Sequence, residues 1–178
     1  KRQIIVTGSI DLTGTRLPEL PRFGMRMELQ QSYENLTYYG RGPLENYIDR
    51  YSSSFIGRYE DKVENQFYWY IRPQETGNKT DVRWLALLNS EGEGVKITGL
   101  QPIAFSALHF SPEDLDPGLT RKLQHTIDIV PQKNIFLHVD LKQRGLGGDN
   151  SWGMYPYNKY RLLDKKYVYS YMIELAEK

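Results

Sequence analysis

The chain has 178 residues, of which 39% are apolar and 25% charged, the balance of a soluble globular protein with enough length to bury a real core. Lys and Arg number 23 against 22 Asp and Glu, and the resulting formal charge of +1 gives no electrostatic case for a nucleic-acid or membrane-surface partner. With no cysteine there is no disulfide, thiolate-bound zinc or thiol catalysis, and no apolar run approaches the roughly 20 residues of a membrane span.

The dominant period along the chain is two, the signature of half-buried antiparallel strands. Ile4, Val6, Ile10 and Leu12 alternate with Ile5, Thr7, Ser9 and Asp11. The stretch 14–21 holds two prolines and reads as a loop to a second alternating run, Phe23, Met25, Met27 and Leu29. Residues 40–43 read as a turn; 67–71 and 82–88 are denser apolar runs, expected to be strands covered on both faces. After a turn at 91–94, Ser111-Pro112-Glu113-Asp114 carries the one convincing helix start: an N-cap, a proline at the first position and acids at the positive end of the dipole. Pro117-Gly118 stops that helix within about two turns. Alternation returns in Leu123, Ile127 and Ile129, in Ile135, Leu137, Val139 and Leu141, and in Tyr167, Tyr169, Tyr171 and Ile173. The expected fold is an all-β sandwich with one short helix. The count of 14 Tyr and 3 Trp suits packed β structure and also sugar-binding faces, where ring faces meet C–H groups.

Three polar clusters stand out. In residues 39–50, Arg41, Glu45, Asp49 and Arg50 are expected to clamp a loop through ion pairs. In residues 74–84, Asp81 and Arg83 lie two apart on a strand and are expected to form a buried ion pair. In residues 144–153, glycines free the backbone and present Trp152 at the end of a turn. Composition alone leaves that ring either a sugar platform or a core residue. His109, His125 and His138 fall in or beside expected strands with no metal-ligand spacing, and packed or surface histidines are the plain reading. Asn35-Leu36-Thr37 and Asn78-Lys79-Thr80 match the glycosylation pattern, which is common by chance.

The chain resembles the carboxy-terminal domain of glycoside hydrolase family two β-galactosidases, often called the β-galactosidase small chain. The strings that carry this are Leu20-Pro21-Arg22-Phe23-Gly24-Met25, then Tyr39-Gly40-Arg41-Gly42-Pro43, Glu45-Asn46-Tyr47 and Asp49-Arg50. Pro73-Gln74-Glu75-x-Gly77-Asn78, Asp81-x-Arg83-Trp84 and Gly147-Gly148-Asp149-Asn150-Ser151-Trp152 follow in the family's order. The resemblance implies an antiparallel β-supersandwich, related in architecture to galactose mutarotases, over residues 1–178. It implies that the opening strands are missing and that the chain, which starts at Lys1 with no signal-peptide pattern, is a fragment of a larger multidomain enzyme.

The family's enzymes hydrolyse terminal β-galactosyl residues with retention, using two carboxylates about 5–5.5 Å apart in a (β/α)₈ barrel that 178 residues with one short helix do not hold. By resemblance, this chain is non-catalytic and buttresses the barrel. Trp152 forms a wall of the sugar cleft, with Asp149 and Asn150 beside it as substrate-binding residues. The implied partners are a β-galactoside and the parent's other domains, in a parent that can be homo-oligomeric, with no nucleic acid and no membrane. No cofactor is expected in the fragment itself, Mg and Na being bound by other domains of the full-length enzymes. The compartment stays open between bacterial cytoplasm and periplasm. The alternative is a stand-alone carbohydrate-binding or aldose-1-epimerase-like module, for which His109 or His125 with Glu75 or Glu45 would supply the acid and base.

Overall fold

A computed structural model of the chain describes residues 2–116, 118, 124–148, 150 and 153–176. The strands are β1 (Gln3–Asp11), β2 (Arg22–Leu29), β3 (Asn35–Gly42), β4 (Phe55–Lys62), β5 (Lys79–Leu88), β6 (Gly94–Leu108), β7 (Ile135–Gln143) and β8 (Lys166–Ala176). Every pairing is antiparallel, in the order β1-β8-β6-β5-β3-β4, with β7 branching from β6 and β2 pairing with β7. Helix is limited, among the described residues, to the single turn α1 (Pro112–Leu115) and short 3-10 turns. The all-β sandwich expected from the period-two pattern is the observed fold.

Strand β6 is the pivot between the layers. Its residues 94–99 pair with β8 and its residues 104–108 pair with β7. Between them the register against β5 slips, from Trp84↔Thr98 to Val82↔Ile103. The extra residues include Gly99 and Pro102; glycine tolerates a bulge and proline has no N–H to give a ladder, so the strand bends there rather than running straight.

The core fills the space between the two halves. Leu36 and Tyr38 of β3, Leu85 and Leu87 of β5, Ile97 and Phe105 of β6, Leu137 and Val139 of β7, and Tyr169 and Tyr171 of β8 are all buried in one cluster. Aromatic contacts cross it: Phe23 meets Tyr169 edge-on with ring centroids 5.5 Å apart, and the Tyr169 hydroxyl donates to the Val139 carbonyl at 2.9 Å. On the far side of β6 and β7 a smaller cluster, Phe67, Leu108, Phe110 and Leu115, covers the sheet. This explains why residues 103–108 are buried on both faces.

The helix start is confirmed and α1 is one turn. Ser111 accepts from the Asp114 amide, Asp114 accepts from the Ser111 amide, and Pro112 opens the turn. Three segments differ from expectation. Residues 40–42 are not a turn but the end of β3. Residues 67–71 form no strand: Tyr68, Trp69 and Ile71 are exposed while Phe67 alone turns into the small cluster. In the run expected around Leu123, Ile127 and Ile129, Leu123 lies outside the described residues and Thr126–Asp128 is a 3-10 turn. Its parity is inverted, with Thr126 buried and Ile127 exposed. The cause is hydrogen bonding to a distant segment together with a local cap: the Thr126 amide donates to Ile71 O at 3.2 Å, its hydroxyl to Tyr70 O, and Asp128 caps the His125 amide at 2.7 Å.

Candidate functional site

The glycine-rich loop singled out by the sequence leaves the end of β7 at Gln143. Asp149 and Trp152 lie outside the described residues; Asn150 is exposed. What the structure does show is how the base of the loop is built. The Arg144 amide donates to Pro21 O and the Gly145 amide to Tyr160 O, both at 2.8 Å. Asp49 then takes the Gly147 amide at 2.7 Å.

The glycines are required by close approach. A β-carbon on Gly145 would stand 2.6 Å from Asp49 Cγ, and one on Gly148 would overlap the Met154 carbonyl. Gly148 against Met154 brings the two limbs of the loop together on either side of residues 149–152. The outgoing limb is held by Tyr155, over which the guanidinium groups of Arg161 and Arg144 lie 4.6 and 5.5 Å from the ring centroid. Glu19 ties those two arginines together at 2.5 and 3.0 Å, and their charges hold its carboxyl below the usual range against the opposing effect of burial.

The first and third sequence clusters therefore meet through Asp49, which was expected to pair with an arginine and instead holds the loop. Glu45 joins the first cluster to the second. Its Oε1 accepts from Arg50 at 2.6 Å and from the Tyr70 hydroxyl, and its Oε2 accepts from Thr76 Oγ1 at 3.0 Å and the Gly77 amide at 2.8 Å. Asn46, fully buried, accepts from the Thr80 amide and hydroxyl and donates to the carbonyls of Arg41 and Leu44. The Asp81–Arg83 ion pair is a miss. Asp81 sits at a bulge with φ 53°, its carboxylate pairs with Arg41 at 2.5 Å, and Arg83 donates to the Asp81 carbonyl and lies over the Tyr39 ring, 5.9 Å from its centroid. That pair is partly exposed, not buried.

The groups an epimerase would need do not converge. His109 Nε2 contacts Glu34 at 2.9 Å, His125 sits on an exposed turn beside Asp128, and Glu75 pairs with Arg22 at 3.0 Å. Among the described residues no three His, Asp or Glu side chains group as metal ligands.

A second polar constellation was not foreseen. On the outer face of β2–β7–β6, Arg22 reaches Asp140 through Nε at 3.0 Å, Gln143 through Nη2 at 2.6 Å and His138 Nδ1 through Nη1 at 3.0 Å. Asp140 is fully buried, and burial lifts its pKa to about 7 although Arg22 opposes the rise. Burial and the Arg22 charge push His138 down to about 4, and burial raises Glu75 with Arg22 opposing. The one available signal was parity: Phe136, His138 and Asp140 alternate with the core residues of β7, so a carboxylate and an imidazole share its other face. A cavity of about 230 Å³ opens against these groups, between the sheet and the turn at α1.

Comparison with known proteins places these features in a family. The beta galactosidase small chain family matches residues 3–173. A beta-galactosidase of Priestia megaterium is 38% identical over 146 residues, covering 82% of this chain and 14% of its own. One from Streptococcus thermophilus is 33% identical over 176 residues, 98% of this chain and 17% of that protein. The beta-galactosidase BgaC of Bifidobacterium adolescentis is 35% identical over 149 residues, again 14% of its length. The chain thus spans about one-sixth or less of these relatives, and it belongs to the beta galactosidase small chain family.

Proposed function

We propose that this chain is the carboxy-terminal domain of a retaining β-galactosidase that hydrolyses terminal β-D-galactosyl residues. Its part is to buttress the catalytic barrel and to lend the loop that carries Trp152 to one wall of the sugar cleft. The observation that supports this most is the loop base: Asp49, Gly145, Gly148 and the Arg–Tyr155 stack fix both limbs of an exposed loop whose short connection, residues 149–152, holds a Trp. A rigid base under an aromatic side chain suits stacking on the less polar face of a pyranose, worth about 1 kcal/mol. Asp149 and Asn150, close to Trp152 in sequence, are the residues proposed to supply polar contacts to the sugar. The two catalytic carboxylates belong to the rest of the parent chain.

The test uses the full-length enzyme. Trp152→Leu is expected to raise KM for a β-galactoside about fivefold, since about 1.4 kcal/mol is one decade, with a smaller change in kcat. Unchanged KM and kcat would remove the sugar-wall role. The 178-residue chain alone is expected to show no turnover of a chromogenic β-galactoside.

A further inference from the structure

The cavity on the outer face of β7 serves neither the loop base nor the packing of the core. Ser106 of β6 and His138 of β7 stand directly opposite one another in the strand register, and both face it. Ser106 is only 3% exposed, yet among the described residues its hydroxyl has no hydrogen-bond partner. His138 Nδ1 accepts from Arg22, which puts the ring proton on Nε2, and that N–H is likewise without a partner among the described residues. Both groups line the cavity, where a polar ligand can take up their free hydrogen-bonding capacity.

We propose that this cavity binds one neutral sugar ring, through His138 Nε2–H, the Ser106 hydroxyl and the Glu75 carboxylate, against the rings of Phe110 and Phe136.

The chemistry selects a neutral polyol over an anion. Arg22 already faces two carboxylates, Asp140 and Glu75, and its guanidinium also contacts Gln143 and His138, so no uncompensated cationic group is left for a phosphate or carboxylate. The imidazole is held neutral, since burial and Arg22 drive its pKa to about 4. It offers one N–H donor, the Glu75 carboxylate an acceptor, and the Ser106 hydroxyl either. Because Nε2 carries the proton, His138 cannot take one from Ser106, and the pair is a binding device rather than a nucleophile. The phenyl rings supply the apolar surface that the C–H face of a pyranose needs. A cavity of about 230 Å³ has room for a single ring.

The experiment titrates the 178-residue chain with D-galactose and methyl β-D-galactopyranoside, and separately with inorganic phosphate, by saturation-transfer NMR and calorimetry. Saturable binding of the sugars in the millimolar range is expected, with none of phosphate. Ser106→Val keeps a strand-compatible residue, removes the hydroxyl and fills part of the cavity, and is expected to weaken sugar binding at least tenfold. If that variant does not fold, Ser106→Ala serves, with a several-fold loss. The Ser106 substitution leaves the loop that carries Trp152 untouched, so a loss on that substitution assigns the binding to this cavity, and this site and the Trp152 wall succeed or fail independently. No saturable binding of either sugar, tighter binding of phosphate, or affinity unmoved by the Ser106 substitution overturns the proposal.

Discussion

Gly24 of β2 lies opposite Asp140 of β7 at a bulge, so close that a β-carbon on Gly24 would stand 2.6 Å from Asp140 Cα and overlap the carboxylate. The bulge leaves Leu141 without a partner on β2 and turns Asp140 into the space a side chain would fill. Gly24→Ala forces either the carboxylate or the strand to move. Overpacking of this kind costs about 3 kcal/mol, a fall in Tm of about 6–12 °C for a chain of this size, read by thermal unfolding. Gly92→Ala, where a β-carbon meets nothing within 4 Å but φ is +85°, is expected to cost only about 1 kcal/mol.

Glu45 and Arg50 form one ion pair but are not equal partners. Glu45 is 12% exposed and accepts four hydrogen bonds; Arg50 is 54% exposed. Glu45→Ala strands the Gly77 amide and the Thr76 and Tyr70 hydroxyls and is expected to destabilise by about 3 kcal/mol. Arg50→Ala is expected to cost less than about 1 kcal/mol, since its half of the pair is screened by water. Equal losses in chemical denaturation would mean that the ion pair, not the backbone lock, is what matters.

Stability against pH separates Asp140 from His138. Folding raises Asp140 from 3.8 to about 7, so its contribution is full below about pH 4 and is lost as pH rises to 7. Folding lowers His138 from 6.5 to about 4, so its contribution is full above 6.5 and is lost as pH falls to 4. In the wild type the two slopes oppose one another and Tm changes little between pH 4 and 7. Asp140→Asn removes one falling slope and leaves that of His138 opposed by the raised Glu75, and the variant is expected to gain up to about 3 kcal/mol between pH 4 and 6.5. A variant as flat as the wild type would show that Asp140 does not titrate in this range.

Asp49 acts through the loop it holds. Asp49→Ala removes the acceptor of the Gly147 amide, and a stability loss of about 1 kcal/mol is expected in the 178-residue chain. In the full-length enzyme the same change is expected to raise KM several-fold. In a Trp152→Leu background the KM effect should vanish, because nothing is left for the loop to position; additive losses in this double-mutant cycle would separate Asp49 from Trp152.

The strands with strict alternation, β1, β2, β7 and β8, were legible because one face of each is apolar. Strands β3 and β4 were not: Gly40 and Gly42 read as turn chemistry until the pairing with β4 is known. Residues 103–108 of β6 are covered on both faces and show no period at all. The failure at 122–129 has a different source, since alternation there was real but two hydrogen bonds from Thr126 to residues 70 and 71 and the local Asp128 cap overrode it. For the site, the glycines, arginines and acids of the three clusters were visible one by one. Their partners were not, because Asp49 and Gly147 are 98 residues apart and Arg22 and Gln143 are 121 apart, distances over which sequence spacing carries no information.

Strand β1 is paired along its whole length by β8 alone, from Gln3↔Glu174 to Asp11↔Lys166. During synthesis, at about 5–20 residues per second, β1 therefore waits roughly 10–30 s with its ladder open while the intervening chain is made. Ile4 and Ile5, exposed even in the finished sheet, are bare throughout that interval, and an unpaired strand with apolar side chains is a template for the wrong neighbour. Recombinant yield of this chain should accordingly be limited by aggregation before completion rather than by the stability of the finished fold.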